Sequence, residues 1–319
     1  MKTGRLKSYW KLISASFTAF MDDKGLKLSA ALAYFSIFSL APLLMIIILA
    51  MGSLYGSGEF SAKIFEEMNS LLGSEASKQI QETVKKISLA EKSTFALVTG
   101  IVTLFLGATG VFVEIQDSIN MIWKVKAKPK KGFLAMLKNR FLSFSLIISL
   151  GFLMIVSLII NGLVVAVMDQ LMRIFPDIAV VFLNIANLAV TFVIITILFG
   201  IIFKFLPDVK IPWKTVKKGA VFTAVLFMIG RYLIGLYISL ADPGTAFGAG
   251  GSLIVVLVWV YYTAAILYFG AEFTQVYAEA VGSRIEPAPY AVHIITQEEE
   301  KDVSVLPDQG HDVEPPPED

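Results

Sequence analysis

Between Asp242 and Glu272 no residue carries a charge, and this gap constrains the chain more than any other feature. Laid out as an α-helix rising about 1.5 Å per residue, the run Leu253 to Ala271 nearly matches the ~30 Å hydrocarbon core of a bilayer. It reads as a membrane span, led in by the glycine-rich GTAFGAGG and closed by Glu272. With 56% hydrophobic residues over 319, the chain lies far above a soluble domain's apolar share, so lipid is the solvent for most of it.

Five more apolar runs make the expected fold all-α and polytopic, with six transmembrane helices at about 28–52, 94–116, 141–168, 178–204, 219–241 and 250–276. Residues 1–27 form a basic N-terminal segment in which Leu6, Trp10, Ile13, Phe17 and Phe20 recur at three and four, on one helical face. That pattern suits a helix lying on the membrane surface, or an amphipathic helix packed on loops. It lacks the compact apolar stretch and small-residue cleavage site of a secretory signal. Pro42 removes a backbone donor within the first span and kinks it. Residues 59–92 turn polar, with apolar spacing that predicts a helical cap outside the bilayer. The 28–280 transmembrane domain is followed by a tail, 281–319, rich in Pro, Glu and Asp, whose composition predicts disorder from about Pro287. No internal repeat is visible, so the inverted-repeat signature of many transporters is missing.

Orientation follows from counting Lys and Arg on alternate sides. The N-terminal segment has six and the stretch Lys124 to Arg140 seven with no acid; the link from Pro207 to Lys218 has four. On the other side, the turn after the third span has Arg173 alone and the turn after the fifth has none. Both termini are expected in the cytoplasm of a bacterial inner membrane. The loop 124–140, beside a span, is expected to meet anionic lipid headgroups, at ~1 kcal/mol per basic residue, and no nucleic acid.

Chemistry that needs thiols or imidazole clusters is excluded. There is no cysteine, and the two histidines, His293 and His311, both follow the last span. No catalytic residue, metal or cofactor is expected. Interest falls on the helix faces. Gly100, Thr103, Gly107, Gly110, Glu114 and Asp117 share one sector of the second span, and Asn184, Asn187 and Thr191 align on the fourth. Such faces point away from lipid, either to pack helices closely through small residues and interhelical hydrogen bonds or to line a polar path. Pro42, Gly100, Gly107, Gly110, Gly250 and Gly251 are the hinge or packing positions.

Arg231 is the sharpest single residue. Twelve uncharged residues separate it from Lys218 and ten from Asp242, which puts it near mid-bilayer at a cost of ~2.5–3.5 kcal/mol. It shares a face with Ala220, Ala224 and Gly235 and is expected to look into the bundle. There it anchors an anionic group, or it is a structural arginine held by helix-end carbonyls, or it snorkels outward. Glu272 shares a face with Tyr261, Ala265, Tyr268 and Gln275, at the same level as Glu114 and Asp117. Those carboxylates are solvated or paired with basic loops, or they gate a path and carry protons.

Three passages resemble the YihY/virulence factor BrkB family of bacterial inner-membrane proteins, once labelled ribonuclease BN: LSAALAYFSIFSLAPLL at 28–44, FKFLPDVKIPWKTVKKGAVFTAVLF at 203–227 and GSLIVVLVWVYYTAAILYFGAEF at 251–273. Pro42, Pro207, Pro212, Trp213, Gly270 and Glu272 are the family-like positions. The resemblance implies a six-helix polytopic protein with suggested links to envelope integrity, serum resistance and lipid export, and no agreed catalytic residues. The nuclease label fails on chemistry, because phosphodiester hydrolysis needs a metal cluster or an acid and base at an open cleft. The leading expectation is a permease or flippase-like protein for an anionic amphiphile or small anion, its path lined by Arg231 and the polar faces. The alternative is a non-transporting scaffold for envelope partners. Membrane lipids are the expected partners in either case, and the residues set no oligomeric state.

Overall fold

The computed structural model describes residues 2–36, 110–128, 176–241, 251–283 and 285–295. The cap at 59–92, the third span at 141–168, most of the first and second spans and the tail beyond 295 lie outside the described residues. The chain enters as α1 (Lys2–Asp22), turns into α2 (25–36), and resumes as α3 (110–122) and β1 (Val125–Ala127). There follow α4 (Pro176–Phe205), β2 (Val209–Lys210), α5 (Trp213–Ala241), α6 (Gly251–Ala280), β3 (Glu286–Pro287) and β4 (Ala291–His293). The described chain is thus mostly helical. Within it three helical runs are long and apolar enough to cross a membrane: Leu188–Phe205, Trp213–Tyr237 and Ile254–Ala280. At about 1.5 Å per residue even the shortest spans roughly 27 Å.

Two departures from the sequence reading lie at one end of the bundle. The all-α expectation gives way to two small antiparallel sheets, β1 with β4 and β2 with β3. The tail expected to be disordered from about Pro287 instead folds back over 285–295. Its backbone is tied down where Ile294 N donates to Lys124 O, Lys128 N to Tyr290 O, and Ala288 N to Asp208 O. The acidic composition of 281–319 as a whole masked a short apolar stretch, YAVHII, whose residues 291–293 pair with the strand that opens the basic loop. The fifth helix also begins earlier than expected: Pro212, which has no amide hydrogen to lose, supplies its carbonyl to the amides of Thr215 and Val216 and starts α5 at Trp213.

The helices meet most tightly between α5 and α6. Gly219 on α5 faces Thr274 on α6, and Gly270 on α6 faces Thr223 on α5, so close that a Cβ on either glycine would fall inside the opposing threonine. Each threonine hydroxyl donates to a carbonyl of its own helix: Thr223 to Gly219 at 2.8 Å and Thr274 to Gly270 at 2.7 Å. The hydroxyls are thus satisfied in a dry contact, which is how small residues join helices without a hydrophobic driving force. Around this clasp lies a core of Ile119, Ile122, Trp123, Phe203, Val216 and Ala271. The Trp123 indole donates to Ala271 O at 3.1 Å, which fixes the end of α3 onto α6.

The corner between α1 and α2 packs against the same helix. Lys24 adopts φ 58°, and Gly25 follows with the Phe20 ring lying where a side chain would stand. Phe20 and Phe17 meet Phe269 edge to face, with centroids 5.8 and 6.4 Å apart. The expected amphipathic face of α1 is therefore divided. Phe20 is buried against α6, whereas Trp10 and Phe17 remain exposed.

Replacing Gly270 by valine forces Thr223 aside, an overpacking cost of about 1–3 kcal/mol. Gly270→Val is expected to lower the melting temperature of detergent-purified protein. Gly235→Ala, at a helical site with open space around it, is expected to hold or raise it.

Candidate functional site

The link between α4 and α5, LPDVKIP, places Asp208 under the sheets with only 4% of its surface exposed. Asn120 embraces it from α3. Its Nδ2 donates to the Asp208 carboxylate at 2.8 Å, and its Oδ1 accepts from the Asp208 amide at 2.8 Å. Gln116, one turn earlier on α3, donates at 3.1 Å, and the Tyr290 hydroxyl between β3 and β4 donates at 3.0 Å. A buried carboxylate is thereby satisfied by three neutral donors, with no ion pair to it among the described residues. Burial first, then the charge on Asp208 and the hydrogen bond to it, push the Tyr290 phenol up to about 12. Such a knot holds α3, the α4–α5 link and the tail in one register. It does no obvious chemistry.

Beside it, α6 carries a second polar group of a different kind. Glu272 is 1% exposed and Tyr268 0%, one turn apart on one face, with Gln275 on the same face a turn further. Glu272 Oε1, Tyr268 Oη and Gln275 Oε1 are buried without a hydrogen-bond partner among the described residues. The Glu272 carboxyl faces that of Asp23, which is ion-paired with Lys124. Tyr268 lies close to Ser118 without hydrogen-bond geometry, and the Ser118 hydroxyl donates to Glu114 at 3.4 Å. The ends of α1 and α3, with the turns that follow them, converge here on α6.

The structure brings Glu114 near Tyr268, which lies one turn from Glu272 on α6. Asp117 points outward on α3. Desolvation, ahead of the nearby Asp208 charge, raises its pKa above the usual carboxylate value. Tyr261 is half-buried on the same face of α6, further along. Thr191 is half-buried on α4, and the side chains of Asn184 and Asn187 lie outside the described residues. Gly110 opens the described part of α3, 3.9 Å from Phe35 by its virtual Cβ, an ordinary contact. Gly251 opens α6, whereas Pro42, Gly100, Gly107 and Gly250 fall outside the described residues.

Arg231 departs from expectation. Ala220 and Ala224 on its face are buried, but Arg231 and Gly235 are exposed. Beyond Gly230, which abuts the Tyr262 ring, α5 has Ile234 as its one buried residue in the described stretch up to Tyr237. Arg231 shares its helical angle with buried Ala220 and Ala224, yet among the described residues nothing covers the helix at that depth. The guanidinium has neither hydrogen bond nor ion pair there, so the reading of a structural arginine held by carbonyls has no support among them. It stands at the level of Tyr262, roughly 15 Å along α6 from Glu272 by helical rise.

Against known proteins, a family model described as virulence factor BrkB matches residues 16–294. The chain belongs to the virulence factor BrkB family. It is 30% identical over 264 residues to a UPF0761 membrane protein of Pseudomonas aeruginosa (strain LESB58), covering 79% of this chain and 59% of that protein. A UPF0761 membrane protein of Stenotrophomonas maltophilia (strain R551-3) is 24% identical over 262 residues, covering 80% and 58%. One from Azotobacter vinelandii is 24% identical over 281 residues, covering 83% and 62%. The chain spans about three fifths of the length of these curated relatives. No solved structure matches it. Within the BrkB match lie Glu272, Asp208 and Tyr290, and also the folded part of the tail, which the sequence reading had separated from the membrane domain.

Asp208, Asn120, Gln116 and Tyr290 were missed as a group. The one local signal was the pair Gln116 and Asn120, four apart on a helix emerging from the membrane. Asp208→Ala leaves three donors facing a void and is expected to cost about 2–3 kcal/mol of stability. Asp117 behaves oppositely. Because its folded pKa is raised, its favourable contribution is full below the ordinary carboxylate range and is lost as pH rises through the folded value. Asp117→Asn is therefore expected to raise the melting temperature at pH 7, with the gain vanishing near pH 3.

Proposed function

We propose that this BrkB-family membrane protein is a flippase-like permease that lets an anionic amphiphile or small anion cross a bacterial inner membrane and so serves envelope integrity. Its frame is six spans with both termini cytoplasmic. The observation that carries the reading is Arg231, a guanidinium twelve residues from the nearest charge on one side and ten on the other, with no partner among the described residues. A cation at that depth costs ~2.5–3.5 kcal/mol unless something solvates it, and an anionic headgroup passing along α5 is what it lacks. The buried oxygens of Tyr268, Glu272 and Gln275 on α6 support a polar face that continues the path toward the sheets. The exposure of Lys126 and Lys128 at the start of the basic loop supports contact with anionic headgroups.

The reading predicts that protein reconstituted into vesicles moves a fluorescent anionic phospholipid between leaflets. Arg231→Ala is expected to reduce that rate at least tenfold while inserting and folding normally. Equal rates for wild type, Arg231→Ala and empty vesicles would sink it.

A second reading, a scaffold that docks envelope partners, is supported by the interdigitated α5–α6 contact. It predicts no lipid movement by any variant and co-purifying partner proteins.

A further inference from the structure

The polar group on α6 has a charge imbalance. Glu272 is buried at the end of the last described span, and its carboxyl faces Asp23 from the corner after α1. Lys124, from the corner after α3, is the one cation at hand among the described residues, and it is ion-paired with Asp23. The other charged or titratable groups facing the site from the described elements are Glu279 and Tyr268 on α6 and Glu114 on α3, none of them a cation. Lys204 is engaged elsewhere, donating to Ile211 O at 2.6 Å and lying over the Trp213 ring. Two facing carboxylates with one ammonium leave a net negative charge in a desolvated place.

The Phe20–Phe269 ring contact, three residues before Asp23 and Glu272, and the Trp123–Ala271 hydrogen bond, one residue before Lys124 and Glu272, bring both corners onto this turn of α6, and two carboxyls brought together settle the imbalance by holding one proton between them. The orphaned oxygen agrees. Glu272 Oε1 has no partner among the described residues. Left on an ionised carboxylate, such an atom carries half of an unsolvated charge. On a neutral acid it is an ordinary carbonyl oxygen and costs about 1–3 kcal/mol at most.

The backbone supplies an independent observation. Among the described residues only Lys24 and Lys124 are non-glycine residues in the left-handed region, with φ 58° and 53°. Lys24 follows Asp23 directly, and Lys124 is the ion-pair partner itself. Each such conformation costs about 1–2 kcal/mol and persists only where surrounding contacts over-determine it. Both strained turns in the described chain thus close on one carboxyl of α6.

We propose that Glu272, Asp23 and Lys124 form a proton-binding site, in which one proton taken from solvent is shared between the two carboxyls and joins the α1 corner to α6. The site stands apart from the Arg231 reading, and its test needs no transport.

Infrared difference spectra of the full chain in lipid nanodiscs, titrated in pH, read the carbonyl stretch of a protonated carboxylic acid directly. At neutral pH the wild type is expected to show this band and Glu272→Gln to lose it. In Asp23→Asn the like charge is gone and Lys124 is free to pair with Glu272, so the band should disappear on the order of one to three pH units lower than in wild type. Wild type and Asp23→Asn decide the matter even where Glu272→Gln does not fold. No acid band at neutral pH in wild type would overturn the proposal. So would a band that keeps its titration midpoint in Asp23→Asn, or a sodium-dependent rise in melting temperature without an acid band.

Discussion

The contact between α5 and α6 sets the position of everything else described. Two glycines and two threonines meet in crossed pairs, Gly219 with Thr274 and Thr223 with Gly270, and bring two antiparallel apolar helices together without a polar atom left over. In lipid, apolar surface gives no reason for helices to associate, so close approach and dispersion must supply it. This contact also fixes rotation. With Gly270 and Thr274 turned to α5, the face holding Tyr268, Glu272 and Gln275 turns to α3 and the α1 corner. The polar site is thus a consequence of where two glycines fall.

The end of the bundle at the sheets solves two burial problems in different ways. Asp208 is buried but fully bonded by Asn120, Gln116 and Tyr290, and it acts as a tie. Glu272 is buried and incompletely bonded, next to an acid and a paired lysine. Native structures satisfy nearly all buried polar atoms, so the exceptions mark places where something else is meant to bind or move. Both groups meet α3, Asp208 through Gln116 and Asn120, and the α6 group through Ser118 and the Lys124 corner.

Much of this was legible in the residues. The charge-free run before Glu272 marks most of α6, which continues past that carboxylate to Ala280, with Tyr268 and Glu272 buried one turn apart on it. The Asp208 knot was not legible, because its donors lie 88 and 82 residues away at Asn120 and Tyr290, and nothing local announces such pairings. The strand at 291–293 was hidden by averaging a short apolar stretch into an acidic tail. Arg231 shows the limit of a helical wheel. It shares its angle with Ala224, which is fully buried, but angle says nothing about whether a neighbour reaches that height.

The transport proposal requires the face of α6 at Tyr261 and Ala265, short of the desolvated carboxyl of Glu272, to be wet, a path and not a dry core. The chain has no cysteine, so a single one placed at Ala265, half-buried on that face, is an unambiguous reporter. Its reaction with a charged, membrane-impermeant thiol reagent is the most direct measurement, with a cysteine at exposed Lys126 as the reference for full access. The account predicts modification at 265 within an order of magnitude of the rate at 126. A cysteine at 265 that stays unreactive in folded protein while 126 reacts fully would contradict it.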